Sequence, residues 1–280
     1  MKLILGDNQF FGINHHDLEK GSKTKLKFGD EQKISDFIKE TIDLGLDGFM
    51  INSNDLGYKV VDQYQNKANE EIHYSIPYPH KFATMVNESG MLSLLKYFLS
   101  KTSFLLLLRT FPKFLFSRDI KYLIPLIISL EVPNNLKKGS TVYIQNIVTD
   151  LILGLKRFDI IEAFGKELRK RKYNIGLITL NPTKLDQLIK ESKVLNSSDV
   201  IVCFNINNAG FNVFPNKDAV ESLLNSAKNY KTMGMSIFAS GGGDIEQSIR
   251  FIKNLNLDYV VFGSSKINNI KSNLYKFTSN

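Results

Sequence analysis

A parallel (β/α)8 barrel is the fold this sequence predicts, and three observations predict it. The chain has 280 residues, 43% of them hydrophobic and 23% charged, which is ordinary globular usage at a length typical of one such barrel. Short apolar runs rich in β-branched and aromatic residues alternate with segments of helical period, the pattern of parallel βα units. Eight such runs occur, and eight strands alternating with helices close naturally on themselves. The expected organisation is one domain over 1–280, with a long insertion at 91–138.

The first strand, 3–5, is followed by Gly6 and Asp7, which also interrupt the apolar run that a signal peptide would need. Ile34, Phe37, Ile38 and Ile42 then form an amphipathic helical stripe. Strand two, 48–52, ends in Asn52 and leads to Asn54 and Asp55. Strand three, 72–76, leads to Tyr78, His80 and Lys81. Strand four, 141–147, carries Gln145 and Asn146 at its end, and Ile160, Ile161, Phe164 and Leu168 form the helix after it. Strand five, 175–180, ends near Thr179 and Asn181, and strand six, 200–205, ends in Asn205. The seventh strand is expected at 236–239, before Ser240, Gly241, Gly242 and Gly243. Ile245, Ile249 and Ile252 make the next helical stripe, and the eighth strand, 259–263, runs into Ser264, Ser265 and Lys266.

Active sites of such barrels lie where the strands end, so the residues after each strand are the candidates. Asp7, Asn14, His15 and His16 follow strand one; amides crowd the ends of strands two, four, five and six. Asn also serves turns through its tolerance of left-handed backbone, so each amide alone is weak and their shared position is the signal. The two small-residue loops after strands seven and eight each precede a helix. Backbone N–H groups and the helix dipole favour an anion there, and phosphate sites of barrels commonly occupy these loops.

Histidine suits proton transfer near neutral pH, which makes His80 and then His15 the acid–base candidates. A metal site from Asp7, His15, His16 and His80 is not expected, because adjacent His15 and His16 point to opposite sides of extended backbone. Cys203 lies inside a strand and reads as a packed small hydrophobe rather than a nucleophile. As the lone cysteine it closes no intramolecular disulfide, which suggests a reducing compartment, the cytoplasm.

The chain carries 36 basic and 28 acidic residues, a formal charge of +8 and a pI near 9.3. Eight basic and two acidic residues fall within 91–138, so that segment holds +6 and the rest only +2. The same segment is greasy, with Leu92, Leu94, Leu95, Phe98 and Leu99, then 104–108, then Phe111, Phe114, Leu115 and Phe116. Base-stacking motifs are absent, so nucleic acid is not an expected partner. The composition fits a lid buried on the barrel, a peripheral contact with an anionic membrane surface, or a docking surface for a protein. No run of 18 apolar residues exists to span a bilayer.

Several motifs resemble the aldo/keto reductase superfamily. Asn174-Ile175-Gly176-Leu177-Ile178-Thr179-Leu180-Asn181 is similar to that family's strand five. Asp199 to Asn205 is similar to its strand six, and Tyr259 to Lys266, with Ile270 and Asn273, to its closing strand and helix. Gln9-Phe10-Phe11-Gly12 resembles its opening. The resemblance spans about two thirds of the chain.

It implies a barrel oxidoreductase that takes a hydride from NADP(H) bound through Ser240–Gly243, Gly263–Lys266, Asn181 and Asn205. The family's chemistry uses an aspartate and a tyrosine after strand two, a lysine after strand three and a histidine after strand four. Here Asp55 and Tyr58 are out of register, Lys81 lies beyond Pro77-Tyr78-Pro79-His80, and Gln145 and Asn146 stand where the histidine falls. The candidate catalytic set is therefore His80, Tyr58, Lys81, Asp55, His15 and Asn146, acting on a small carbonyl or sugar. Two alternatives remain open: a non-redox isomerase, epimerase or lyase on a phosphorylated sugar or lipid-linked phosphate, and a non-catalytic docking barrel.

Overall fold

A computed structural model describes residues 1–12, 26–64, 69–77 and 103–279. Eight parallel strands close a barrel in sequence order: β1 (Lys2–Leu5), β2 (Gly48–Asn52), β3 (Glu71–Ile76), β4 (Thr141–Ile144), β5 (Asn174–Ile178), β6 (Val200–Asn205), β7 (Lys231–Met235) and β8 (Tyr259–Phe262). Pairing of β1 with β8, Lys2 opposite Tyr259, completes the closure.

Among the described residues the helices are α1 (Glu31–Asp43), α2 (Asp55–Gln63), α3 (Phe104–Ser117), α4 (Ile124–Glu131), α5 (Asn146–Gly154), α6 (Phe158–Lys170), α7 (Pro182–Glu191), α8 (Lys217–Asn225), α9 (Ile245–Lys253) and α10 (Ile267–Thr278). Asp30, Asn54, Asn181, Asn216 and Asp244 cap α1, α2, α7, α8 and α9, each accepting a backbone N–H. Asn and Asp are abundant after the strands partly for this reason.

Strand seven is displaced from expectation. It runs over Lys231–Met235, and residues 236–239 leave the sheet, with Ser236 and Ala239 both at positive φ. Gly234 lies within the strand because a side chain at that position would collide with Ile206 and Leu257. Strands four and five also end earlier than expected, at Ile144 and Ile178, because Gln145 starts the turn into α5 and Asn181 the turn into α7.

The insertion divides in two. A 3-10 turn, Ile120–Leu123, leads into α4, which packs against α6 and buries Ile124, Leu126, Ile128 and Leu130; it is the helix that crosses from β3 to β4. Its last residue, Glu131, accepts a hydrogen bond from the Ser53 hydroxyl, and its carbonyl accepts from Tyr74 Oη at 3.1 Å. The preceding α3 is the additional element, and it is largely exposed. Residues 91–102 of the segment lie outside the described residues.

Candidate active site

Alternate strand residues point into the barrel. Ile4, Met50, Tyr143, Cys203, Met233 and Tyr259 fill its interior, so Asn52, Asn205 and Met235, each two residues further along, face inward at the C-terminal mouth. Below them His73 is fully buried, with Nδ1 2.8 Å from Tyr143 Oη and its ring edge-on to Tyr259. His73 Nε2 sits 3.6 Å from Glu71, which also pairs with Lys2. The interior is packed, so the groups open to a ligand are those at the mouth.

At the mouth, Asp7 ties the loop after β1 to the end of β2. Its Oδ2 accepts from the Asn52 backbone N–H at 2.8 Å and from Asn52 Nδ2 at 2.7 Å. Burial pushes the Asp7 carboxyl up to about 6, against the lowering effect of those bonds. A carboxylic acid that exchanges its proton near neutrality is suited to acid–base work. Cys203, by contrast, is buried in β6, and burial pushes its thiol up, so it is no nucleophile.

The two glycine- and serine-rich loops differ in electrostatics. Ala239–Gly241 forms a 3-10 turn with Ser240 and Gly241 at φ 60° and 92°, and Gly242 and Gly243 lead to α9. There Asp244 caps the helix and Glu246 lies in its first turn, so two carboxylates occupy the end that attracts anions. At α10 no side chain caps the N-terminus and no acidic residue is in the first turn. Lys266 occupies the N-cap position and donates its backbone N–H to Ser264 Oγ at 3.2 Å, while Lys27 Nζ reaches the Ser265 carbonyl at 2.5 Å. The first amides of α10 lack intrahelical acceptors, as at every helix start, and two lysines stand beside them. Gly263 has a packing role as well: a side chain there would overlap the Gln9 amide, which folds back to donate to the Gly6 carbonyl at 2.6 Å.

Other sequence-chosen residues take varied places. Tyr58 is half-buried in the first turn of α2, where its N–H bonds the Asn54 carbonyl at 2.8 Å, and Asp55 is exposed at the helix start. Asn146 begins α5, half-buried. Asn181 Oδ1 accepts from the Lys184 N–H and the Thr183 hydroxyl, both at 3.2 Å, and Asn205 Nδ2 holds the Asn212 carbonyl at 3.0 Å; both amides thus also serve local structure. His15, His80 and Lys81, with Asn14, His16 and Tyr78, lie outside the described residues.

Sequence reasoning did not single out Asp7 as an acid–base group, and it took Gln9 only as part of an opening motif. Asp150, which the sequence places at the end of strand four, accepts from Thr179 Oγ1 at 2.5 Å and from the Leu180 N–H at 2.9 Å. The available signal for Asp7 was its position directly after an apolar strand; the signal for its raised pKa was absent because burial, its cause, comes only with closure of the barrel.

No family model matches this sequence, and no curated protein does. Solved structures share its fold. A putative aldo-keto reductase from Pseudomonas aeruginosa aligns with a TM-score of 0.55 at 12% identity, covering 98% of this chain and 88% of its own. An aldo-keto reductase from Bacillus halodurans, in its holo form, aligns with a TM-score of 0.58 at 10% identity, covering 100% and 87%.

Proposed function

We propose that this chain is an oxidoreductase of the aldo-keto reductase type, binding NADP(H) and acting on a small carbonyl or sugar at the barrel mouth. The observation that carries the reading is the N-terminus of α10, uncapped, free of acids and flanked by Lys266 and Lys27, on a barrel shared with aldo-keto reductases. Its donor set of backbone amides, the Ser264 and Ser265 hydroxyls and two ammonium groups suits a phosphate monoester of the cofactor. When bound, the nicotinamide supplies or accepts a hydride.

The chain's own residues then do the rest. Lys266 and Lys27 neutralise phosphate charge. Asn52 fixes one oxygen of Asp7, and Asp7 holds the proton that a reduced carbonyl oxygen requires. Asp7 thereby takes the part of the acid that the sequence lacks in its usual register. The cofactor phosphate is expected at the strand-eight loop rather than at Ser240–Gly243, where Asp244 and Glu246 oppose it.

Nicotinamide fluorescence followed during titration with NADPH and NADH tests this. Saturable enhancement is expected with the unmodified chain, and Lys266→Glu should weaken NADPH binding roughly tenfold or more. Absence of any signal at high micromolar cofactor overturns the proposal. The same helix end and the Asp7 proton also suit a phosphorylated sugar in an isomerase, epimerase or lyase. Phosphate binding that Lys266→Glu abolishes, without nicotinamide binding, would assign that reading instead.

A further inference from the structure

α3 is built the wrong way round for a helix that packs on a barrel. The side nearest the protein holds buried Thr110, with Leu106, Leu107 and Phe114 partly covered. The opposite side holds Leu105, Leu108, Leu115 and Phe116, spaced at helical period, with Leu105 77% and Phe116 93% exposed. Exposed Arg109 and Lys113 border this stripe on one flank and Arg118 closes the helix. The helix contains no Asp or Glu, and Asp119 just beyond it is paired with Arg157 and Lys121. That Arg157–Asp119 pair, at 2.8 Å, ties the turn after α3 to the start of α6; in α5, just before it, Ile147 and Leu151, with the following Leu155, make a second exposed stripe.

We propose that α3 seats its outward apolar face in the interfacial region of a bilayer rich in anionic lipid, with Arg109, Lys113 and Arg118 on the headgroups. Charge complementarity chooses this occupant. A second copy of the chain would bring like cations together, with no carboxylate of α3 to meet them, whereas anionic headgroups match them. Length agrees: 14 residues of helix reach about 21 Å, shorter than the ~30 Å hydrocarbon core, so the helix lies on the membrane rather than crossing it. No helix among the described residues is long and apolar enough to cross.

Flotation of the full chain with vesicles of phosphatidylcholine alone, and with a third of that lipid replaced by phosphatidylglycerol, tests the proposal. Binding is expected to the anionic vesicles, to weaken with added salt, and to be roughly 100-fold weaker for Arg109→Gln/Lys113→Gln/Arg118→Gln. Leu108→Gln/Leu115→Gln should lose the binding to anionic vesicles while its circular dichroism and melting curve stay unchanged, since both side chains are exposed. Lys170→Gln/Lys172→Gln, elsewhere on the surface, should bind as the unmodified chain does. No flotation of the unmodified chain, or equal flotation of it and the α3 variants, overturns the proposal. So does a dimer in solution that Leu108→Gln/Leu115→Gln converts to monomer in the absence of vesicle binding, which assigns the face to a second copy.

Discussion

Burial raises the Asp7 carboxyl to about 6 although Asn52 gives it two hydrogen bonds, so the native state holds a proton there that the unfolded chain, near 3.8, has released. Between those values stability falls as pH rises, and above about 6 the loss is complete. Asp7→Asn keeps an acceptor for Asn52 and removes the ionisation. Urea unfolding at pH 7.5 should show it more stable by about 1–3 kcal/mol, with the gain gone by pH 4. Carbonyl turnover, on the proposed function, should fall at least a hundredfold with cofactor affinity kept. A variant stabilised but inactive would mark Asp7 as a group whose burial is kept at a cost in stability. Gly176 is the converse case, a residue whose role is space. It lies on β5 against the Tyr143 ring inside the barrel, and any side chain there overlaps that ring. Gly176→Ala should cost about 1–3 kcal/mol and loosen the Tyr143–His73 hydrogen bond, readable in a lowered melting temperature. In the sequence Gly176 is legible only as part of a family-like motif; the neighbour that demands glycine is 33 positions earlier.

At the scale of elements, helices announced themselves by period and caps, while the ends that matter were decided by charge. α9 and α10 follow similar glycine- and serine-rich loops, and both were expected to serve phosphate. Asp244 and Glu246 at one and Lys266 and Lys27 at the other separate them. Lys27 reaches Ser265 across 238 positions of sequence, so its part in that site had no local signal. Asp244→Ser should raise anion affinity at the strand-seven loop, whereas Gly241→Ala should leave cofactor binding within about twofold of the unmodified chain but lower stability, because Gly241 sits at φ 92°. Isothermal titration with NADPH, beside a melting curve, checks both. The insertion was legible as basic and apolar, but its division was not. α4 places its apolar residues against α6 and the barrel, while α3 turns the equivalent residues outward.

The whole molecule is organised around a packed barrel that, among the described residues, buries one histidine, His73. Desolvation lowers the His73 pKa below 6.5, and the nearness of His73 and Lys2 holds the Glu71 carboxyl down at about 2. Both signs point the same way. Below 6.5 the unfolded chain takes a proton that buried His73 resists, and from 4.5 toward 2 it takes one that Glu71 resists, so acid destabilises the fold through both windows. Asp7 opposes this only between 3.8 and about 6. In Asp7→Asn, where that opposition is removed, melting temperature should therefore drop as pH falls from 7 to 4, and adding Glu71→Gln should flatten the drop below 4.5 while leaving the part near 6 in place. A pH-independent melting temperature across that range contradicts the assignment. Period and composition were enough to specify eight strands in order, their helices and a foreign basic segment between the third and fourth, because hydrophobic periodicity is a local property of the chain. The register of β7 and the pairing of Asp7 with Asn52 came only with tertiary structure. So did the choice between two phosphate loops and the direction α3 faces. Each depends on which distant residue arrives alongside, and closure of the barrel, not local propensity, makes those meetings.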